Sequence, residues 1–268
     1  MKGKQPKATD FLSRLLITML DELVIEESFG TLHRGKYHGQ RVAVKRLKRS
    51  TDLESLFKEL KMWSRLTYSN IVQLMGYTEP PFAPMIVMEL MDCSLLDVLR
   101  DSAVPLSLLR RVEIAHGLAS GVSYLHAQQG VHRDIKSLNV LVRGNDVKLA
   151  DFGGTRGLMS MSLATVGSIR WNAPEVLDGE LASQASDVYA MGITFSEILT
   201  REIPYAHLKV DGAVVRAVFN GTRPQLWPLT TRMQELIGER DLEQQTEGFR
   251  QLIQRCWEFL LRERCDWS

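Results

Sequence analysis

Charge of either sign is not in excess in this sequence: 33 Lys+Arg stand against 32 Asp+Glu, a net of +1 over 268 residues. A chain this near neutrality has no field with which to grip a polyanion or an anionic surface, so nucleic-acid binding is not expected. Cysteine is scarce, and the three present, Cys93, Cys256 and Cys265, show no C-x-x-C spacing. An odd, widely spaced set neither frames disulfides nor supplies zinc ligands, and reduced thiols in the cytoplasm are the expectation. Long apolar runs are also lacking. None approaches the roughly 20 residues that a membrane helix needs, so no membrane span is expected. Phe11 to Leu20 is broken by Arg14 and has no small-residue cleavage site, so this stretch is not expected to serve as a signal peptide. Internal repeats and low-complexity stretches are missing as well. What is there is ordinary globular composition, 44% hydrophobic and 24% charged, and a chain of this length can bury roughly three quarters of its unfolded surface.

The apolar pattern changes along the chain. Arg41-Val42-Ala43-Val44-Lys45-Arg46-Leu47 alternates apolar and basic residues, and Ile71 to Met75 and Met85 to Met91 are short apolar runs separated by the proline-rich turn Glu79 to Pro84. These predict neighbouring antiparallel strands. Between the first two, Thr51-Asp52-Leu53-Glu54 has the form of a capping box, and Leu53, Leu56, Phe57, Leu60, Trp63 and Leu66 follow at helical spacing. Beyond Ser94 the period is helical, at Leu108, Leu109, Val112, Ala115, Leu118, Ala119, Val122 and Leu125, and again at Val188, Met191, Ile193, Phe195 and Ile198. Between these helices, Asn139 to Val142 and Val147 to Ala150 flank Arg143-Gly144-Asn145-Asp146, a tight hairpin. The shift near residue 92 predicts an α+β chain with a strand-rich lobe over about 1–91 and a helical one over about 92–268.

One segment carries most of the chemistry. His132-Arg133-Asp134-Ile135-Lys136-Ser137-Leu138-Asn139, followed by Asp151-Phe152-Gly153, resembles the catalytic loop and metal-binding motif of the protein kinases. Val42-Ala43-Val44-Lys45, Glu59, Ala173-Pro174-Glu175, Asp187-Val188-Tyr189 leading to Gly192, and Arg264 stand in the family's order over nearly the whole chain. Within the family, the Lys-Ser-Leu-Asn ending, Trp171 and Cys256-Trp257 are similar to the tyrosine-kinase-like group, which includes the Raf and mixed-lineage kinases. The resemblance implies a single bilobal kinase domain over 1–268, with a small antiparallel sheet lobe bearing one helix and a larger, mainly helical lobe. It also implies ATP and Mg²⁺ as cofactors and the Ser/Thr hydroxyls of proteins as substrates.

Phosphoryl transfer asks for positioning and charge neutralisation more than for covalent chemistry. By resemblance, Lys45 holds the α- and β-phosphates and is oriented by Glu59, which lies eleven residues before Asn70. Asn139 and Asp151 are hard oxygen ligands for Mg²⁺. Asp134 accepts the proton of the substrate hydroxyl, and Lys136 neutralises the transferred phosphoryl in the serine/threonine pattern. Leu32, Ala43 and Leu141 would enclose adenine, Glu89 and Met91 would supply backbone hydrogen bonds to it, and Gly30 closes the phosphate loop. His132 would stack under Phe152, Asp187 would fix the catalytic-loop backbone, Ser168 would contact the catalytic aspartate, and Glu175 would pair with Arg264. Arg133 would pair with a loop phosphorylated at Ser160, Ser162 or Thr165, by an upstream kinase or by autophosphorylation.

The pattern departs from the family in two places. Ser28-Phe29-Gly30-Thr31-Leu32 matches the end of the glycine-rich loop, but in an ungapped register Ile25 and Glu27 occupy the first two glycine positions. Alternatively, Asp21 to Glu27 is the entering strand and the loop is shortened. Near the C-terminus Cys265 stands where proline is usual, and the family's last helix is expected to be missing. The altered loop keeps open an alternative from another class: a pseudokinase scaffold with weak or no nucleotide binding.

Overall fold

The computed structural model describes residues 17–27, 30–47, 53–78, 84–152, 168–226 and 239–258. The chain divides between Asp92 and Cys93 into two compact units. Among the described residues, no helix is long and apolar enough to cross a membrane.

In the first unit, β1 (Ile17–Glu27), β2 (Gly30–Tyr37), β3 (Gln40–Leu47), β4 (Leu74–Tyr77) and β5 (Met85–Glu89) form one antiparallel sheet in the order β1-β2-β3-β5-β4. Strand β3 lies at the centre. Val42, Ala43 and Val44 are all buried there, so the strand does not follow the simple in-out alternation of its sequence; Val42 and Val44 pack with Met85 and Val87 of β5. Helix α1 (Leu53–Trp63) buries Leu56, Glu59, Leu60 and Trp63 along one stripe, and Phe57 sets its ring against Tyr77 of β4.

The fourth strand begins three residues later than the apolar run predicts. The reason is a tertiary contact: the Trp63 indole N–H donates to the Val72 carbonyl at 2.7 Å, so this backbone oxygen is taken by the end of α1 rather than by a strand ladder. Ile71 and Val72 remain buried. The ends of the turn between β4 and β5 are closed by Thr78, whose N–H donates to Met85 O at 2.9 Å and whose hydroxyl accepts the Met85 N–H at 2.8 Å. The turn's residues 79–83 and the capping-box residues Thr51 and Asp52 lie outside the described residues.

Strand β1 runs through Ile25, paired with Leu32, to Glu27, paired with Gly30, and its register slips twice on the way, between Met19 and Leu23 and between Leu23 and Ile25. Two residues separate the paired ends. Both sequence alternatives for this loop therefore meet a hairpin whose first arm is strand up to Glu27.

In the second unit, a three-stranded sheet of β6 (Cys93–Ser94), β7 (Val140–Arg143) and β8 (Asp146–Leu149) accompanies six helices among the described residues. These are α2 (Leu95–Arg100), α3 (Leu108–Ala127), α4 (Pro174–Leu177), α5 (Gln184–Thr200), α6 (Asp211–Phe219) and α7 (Glu239–Cys256). Ser107 caps α3 by accepting the Arg110 N–H, and Ser183 forms a capping box with Ser186 at the start of α5. Helix α5 is the centre of this unit, with every residue from Ala185 to Thr200 except Val188 buried. Gly192 permits α7 to approach it closely: a Cβ there would fall 2.5 Å from the Cys256 Cβ and 2.9 Å from Trp257 Cδ1.

Arginines terminate two of these helices. Arg111, 2% exposed, donates to the carbonyls of Leu106, Ile198 and Leu199, the last two at 2.7 Å at the end of α5. Arg201, at φ +60°, donates to the carbonyls of Val98, Leu99 and Asp101 around the end of α2, and to that of Val104. Orphan helix carbonyls are thus answered by guanidinium groups. Burial, together with the neighbouring Arg201 charge, lowers the pKa of Arg111 to about 10.

Candidate active site

The segment between α3 and β7 has few backbone ladder bonds of its own, and Asp187 of α5 holds it instead. Asp187 is 1% exposed, and its carboxylate accepts the N–H groups of His132 at 2.7 Å and Arg133 at 2.8 Å. His126, in the last turn of α3, brings Nε2 to 3.0 Å from the same carboxylate, and an acceptor-only partner makes that nitrogen the donor. Arg133 takes φ +73°, which turns the chain sharply before Asp134. His132, fully buried, donates from Nε2 to the Ala150 carbonyl at 2.9 Å, so Nδ1 faces the Asp134 N–H at 3.4 Å as an acceptor. Its ring meets Phe152 edge-on at 5.3 Å between centroids.

Four polar side chains then converge. Lys136 Nζ donates to Asp134 Oδ2 at 2.8 Å and to the Ser168 hydroxyl at 2.7 Å. Asn139 Nδ2 donates to the same Asp134 oxygen at 2.9 Å and to the Asp134 carbonyl at 2.7 Å. A short 3₁₀ turn over Ser137–Asn139 allows this, because it folds Asn139 back towards Asp134. With Nδ2 committed to Asp134, the amide oxygen of Asn139 is the atom left to face a cation. The Asn139 carbonyl accepts the Ala150 N–H at 2.9 Å, which ties Asn139 to the residue before Asp151. Asp151 is exposed and sits at φ +58°. Among the described residues, no group of three or more His, Cys, Asp or Glu could hold a metal ion. One carboxylate and one amide oxygen suit Mg²⁺, which keeps water and phosphate oxygens in its shell and needs few protein ligands.

Behind this cluster lies a residue that sequence reading passed over. Glu197 of α5, 2% exposed, accepts the Ser137 hydroxyl at 2.7 Å and the Trp171 indole N–H at 3.2 Å. Burial raises its pKa to about 7, against the opposing pull of the Ser137 and Trp171 hydrogen bonds and the Arg100 charge. A lone carboxylate between Phe195 and Ile198 in an apolar helix is the signal that could have found it.

In the first unit, Lys45 stands on β3 opposite Leu32 and Ile86, and Ala43 opposite Met88. Glu59 is 6% exposed on the apolar stripe of α1, and it and Lys45 both have polar or electrostatic partners. Glu89 ends β5 and pairs with Val42, and its N–H donates to the Gln73 carbonyl at 2.9 Å. Met91 is buried just beyond. In the second unit, Leu141 pairs with Ser94 and Lys148. Ser160, Ser162, Thr165, Arg264 and Cys265 lie outside the described residues.

Residues 18–268 match the family model described as protein tyrosine and serine/threonine kinase. The chain belongs to this protein kinase family. It is 37% identical over 216 residues to a probable serine/threonine-protein kinase of Dictyostelium discoideum, covering 76% of this chain and 24% of that protein. It is 32% identical over 246 residues to the serine/threonine-protein kinase STY46 of Arabidopsis thaliana, covering 86% of this chain and 42% of that one. To the serine/threonine-protein kinase CTR1 of Arabidopsis thaliana it is 35% identical over 212 residues, covering 74% and 26%. The kinase chain thus spans less than half the length of these curated relatives. Its antiparallel sheet unit and mainly helical unit are the α+β architecture expected of a kinase domain.

Proposed function

We propose that this kinase domain transfers the γ-phosphoryl group of ATP to serine and threonine hydroxyls of proteins. The observation that carries the reading is the convergence of Lys136 and Asn139 on Asp134, which provides an oriented carboxylate beside a cation; Ser168 holds the lysine and not the aspartate that the sequence pattern pairs it with. In this reading Asp134 orients the substrate hydroxyl and takes its proton, and Lys136 stands against the charge that grows on the transferred group. Lys45, oriented by Glu59, neutralises the α- and β-phosphates, and Gly30, Leu32, Ala43, Glu89, Met91 and Leu141 contact the nucleotide. Asn139 and Asp151 would hold Mg²⁺, which supplies charge neutralisation for the phosphates. The relatives named as serine/threonine kinases support the hydroxyl specificity. A cytoplasmic setting, and activation through Arg133 when Ser160, Ser162 or Thr165 is phosphorylated by itself or by an upstream kinase, complete the proposal.

The test is transfer from radiolabelled ATP to a generic protein substrate, with Asp134→Asn as control and phospho-amino-acid analysis of the product. Label on serine and threonine, lost in the variant, is the expected result. Predominant phosphotyrosine, or equal label with the variant, overturns the reading. The scaffold alternative rests on the β1–β2 hairpin, where Glu27 pairs with Gly30: in the ungapped register Glu27 takes a position that kinases fill with glycine, and otherwise the loop is shortened. Calorimetry decides it, since a scaffold binds ATP–Mg²⁺ weakly or not at all.

A further inference from the structure

The near-zero net charge conceals a local excess. Between Glu27 and Asp52 stand seven Lys and Arg and no Asp or Glu, so the remainder of the chain carries 26 Lys+Arg against 32 Asp+Glu. Most of this stretch is the β2–β3 hairpin. Its strands pair rung by rung from Gly30 with Leu47 to Tyr37 with Gln40, and on the last rung but one Lys36 stands directly opposite Arg41. Side chains on one rung share a face of the sheet, with Cβ atoms about 4.5–5.5 Å apart, and like charges so placed repel. Both residues are exposed, and among the described residues neither has an ion pair or a side-chain hydrogen bond.

The neighbouring strands do not relieve this pair. On β1 the residue in register with Lys36 is Thr18. Glu89 of β5 is in register with Val42, whose rung faces the other way by the pleat. Arg34, on the next rung of the same face, already has a polar or electrostatic partner, and the slipped stretch of β1 between Met19 and Leu23 that passes it carries Asp21 and Glu22. The hairpin itself is a firm platform. His38 and Gly39 close its tip at φ +49° and +81°, left-handed at both positions as a two-residue primed turn requires, and the His38 ring meets that of Tyr37 edge-on at 4.3 Å. Behind them Val42 and Val44 bind the hairpin into the core with Met85 and Val87. Two cations are thus held side by side without a counter-charge among the described residues.

We propose that Lys36 and Arg41 form a docking site for a phosphorylated segment of a partner protein. A phosphoserine or phosphothreonine brings close to two negative charges and three acceptor oxygens to one point. That serves a lysine ammonium and the arginine N–H fork together, whereas a single carboxylate neutralises only one of them. A membrane surface is matched less well, since recognition of anionic lipid takes about 4–8 clustered cations and this face offers two that are uncommitted. Docking here makes no use of phosphoryl transfer, so its test is independent of the kinase reading.

The test is a titration of the isotope-labelled chain followed by amide chemical shifts, using a short glycine-serine peptide that carries one phosphoserine, and the same peptide with glutamate in its place. Shifts confined to residues 35–42 should saturate at a concentration at least about fivefold lower for the phosphopeptide than for the glutamate peptide, and weaken as salt is raised. Lys36→Gln and Arg41→Gln should each weaken phosphopeptide binding by about fivefold or more. Each variant should melt at or above the Tm of the unmodified chain, because it removes one member of a repelling pair. A lowered Tm overturns the premise that the pair is uncompensated. Equal titration by the two peptides, or shifts centred on Leu32 and Lys45 instead of the hairpin tip, overturns the docking site. Cosedimentation with vesicles containing about 20% phosphatidylserine is the last arm: capture that both variants abolish, with no shifts from the phosphopeptide, assigns the surface to lipid and overturns the proposal.

Discussion

Replacing Glu197 by glutamine should flatten part of the pH dependence of stability. In the folded chain this carboxyl has its pKa raised from 4.5 to about 7, mainly by burial. Its folded form therefore holds a proton that the unfolded chain releases between those two values. Stability from this group is fully present below the unfolded pKa, falls as pH rises between 4.5 and about 7, and is gone above. The difference, 7 − 4.5 = 2.5 units at about 1.4 kcal/mol each, gives roughly 3 kcal/mol over the whole window. Other carboxylates titrate in the same range, but they are common to both proteins, so the stability of the parent minus that of Glu197→Gln isolates this one. The assay is urea unfolding followed by tryptophan fluorescence, from about pH 5 to about pH 8. On going down that range the parent should gain about 2 to 3 kcal/mol relative to the variant. Parallel curves, or a difference that grows towards high pH, would refute the reasoning that burial dominates at Glu197.

Three further outcomes are expected. Asp187→Asn leaves at least one of the buried His132 and Arg133 N–H groups facing an amide NH₂ instead of a carboxylate oxygen, and should cost about 2 to 4 kcal/mol; denaturant melts check this, and an unchanged midpoint would contradict the anchoring role of α5. Gly192→Ala places a methyl against Cys256 and Trp257 and should destabilise by about 1 to 3 kcal/mol through overpacking, read as a lowered Tm. The Cys256 thiol, pushed up to about 12 by burial, should resist iodoacetamide in the native protein and react after unfolding, as peptide mapping by mass spectrometry will show.

The long helices α3 and α5 were legible because their apolar residues recur every three or four positions, and the start of each is marked by a serine cap that a sequence displays. The β7–β8 hairpin was legible for the same kind of local reason, with Gly144-Asn145 between its arms. The start of β4 was not, since the Trp63 indole that takes the Val72 carbonyl comes from a helix nine residues away, and no periodicity announces it. Within the site, Asp134, Lys136 and Asn139 were read by resemblance to the family's motif, and the structure shows that a 3₁₀ turn brings these neighbours in sequence into contact. Ser168 came only through the family pattern, being 32 residues further on. Glu197 escaped because a glutamate in a helix is ordinarily solvated, and its burial depends on how completely the rest of the unit wraps α5.

The arginine caps have a consequence for synthesis on the ribosome. Helix α2 is made early in the second unit, yet the guanidinium that answers its terminal carbonyls belongs to Arg201, about a hundred residues later, and Arg111 in turn waits for Ile198 and Leu199. A nascent chain that has not yet delivered residue 201 holds α2 with open carbonyls and leaves Arg111 with the Leu106 carbonyl alone of its three. The two caps act as a completion check. The helical unit cannot close around its own first half until α5 has left the exit tunnel, and a stalled or truncated product ending inside α5 should be recognised by proteases as unfinished.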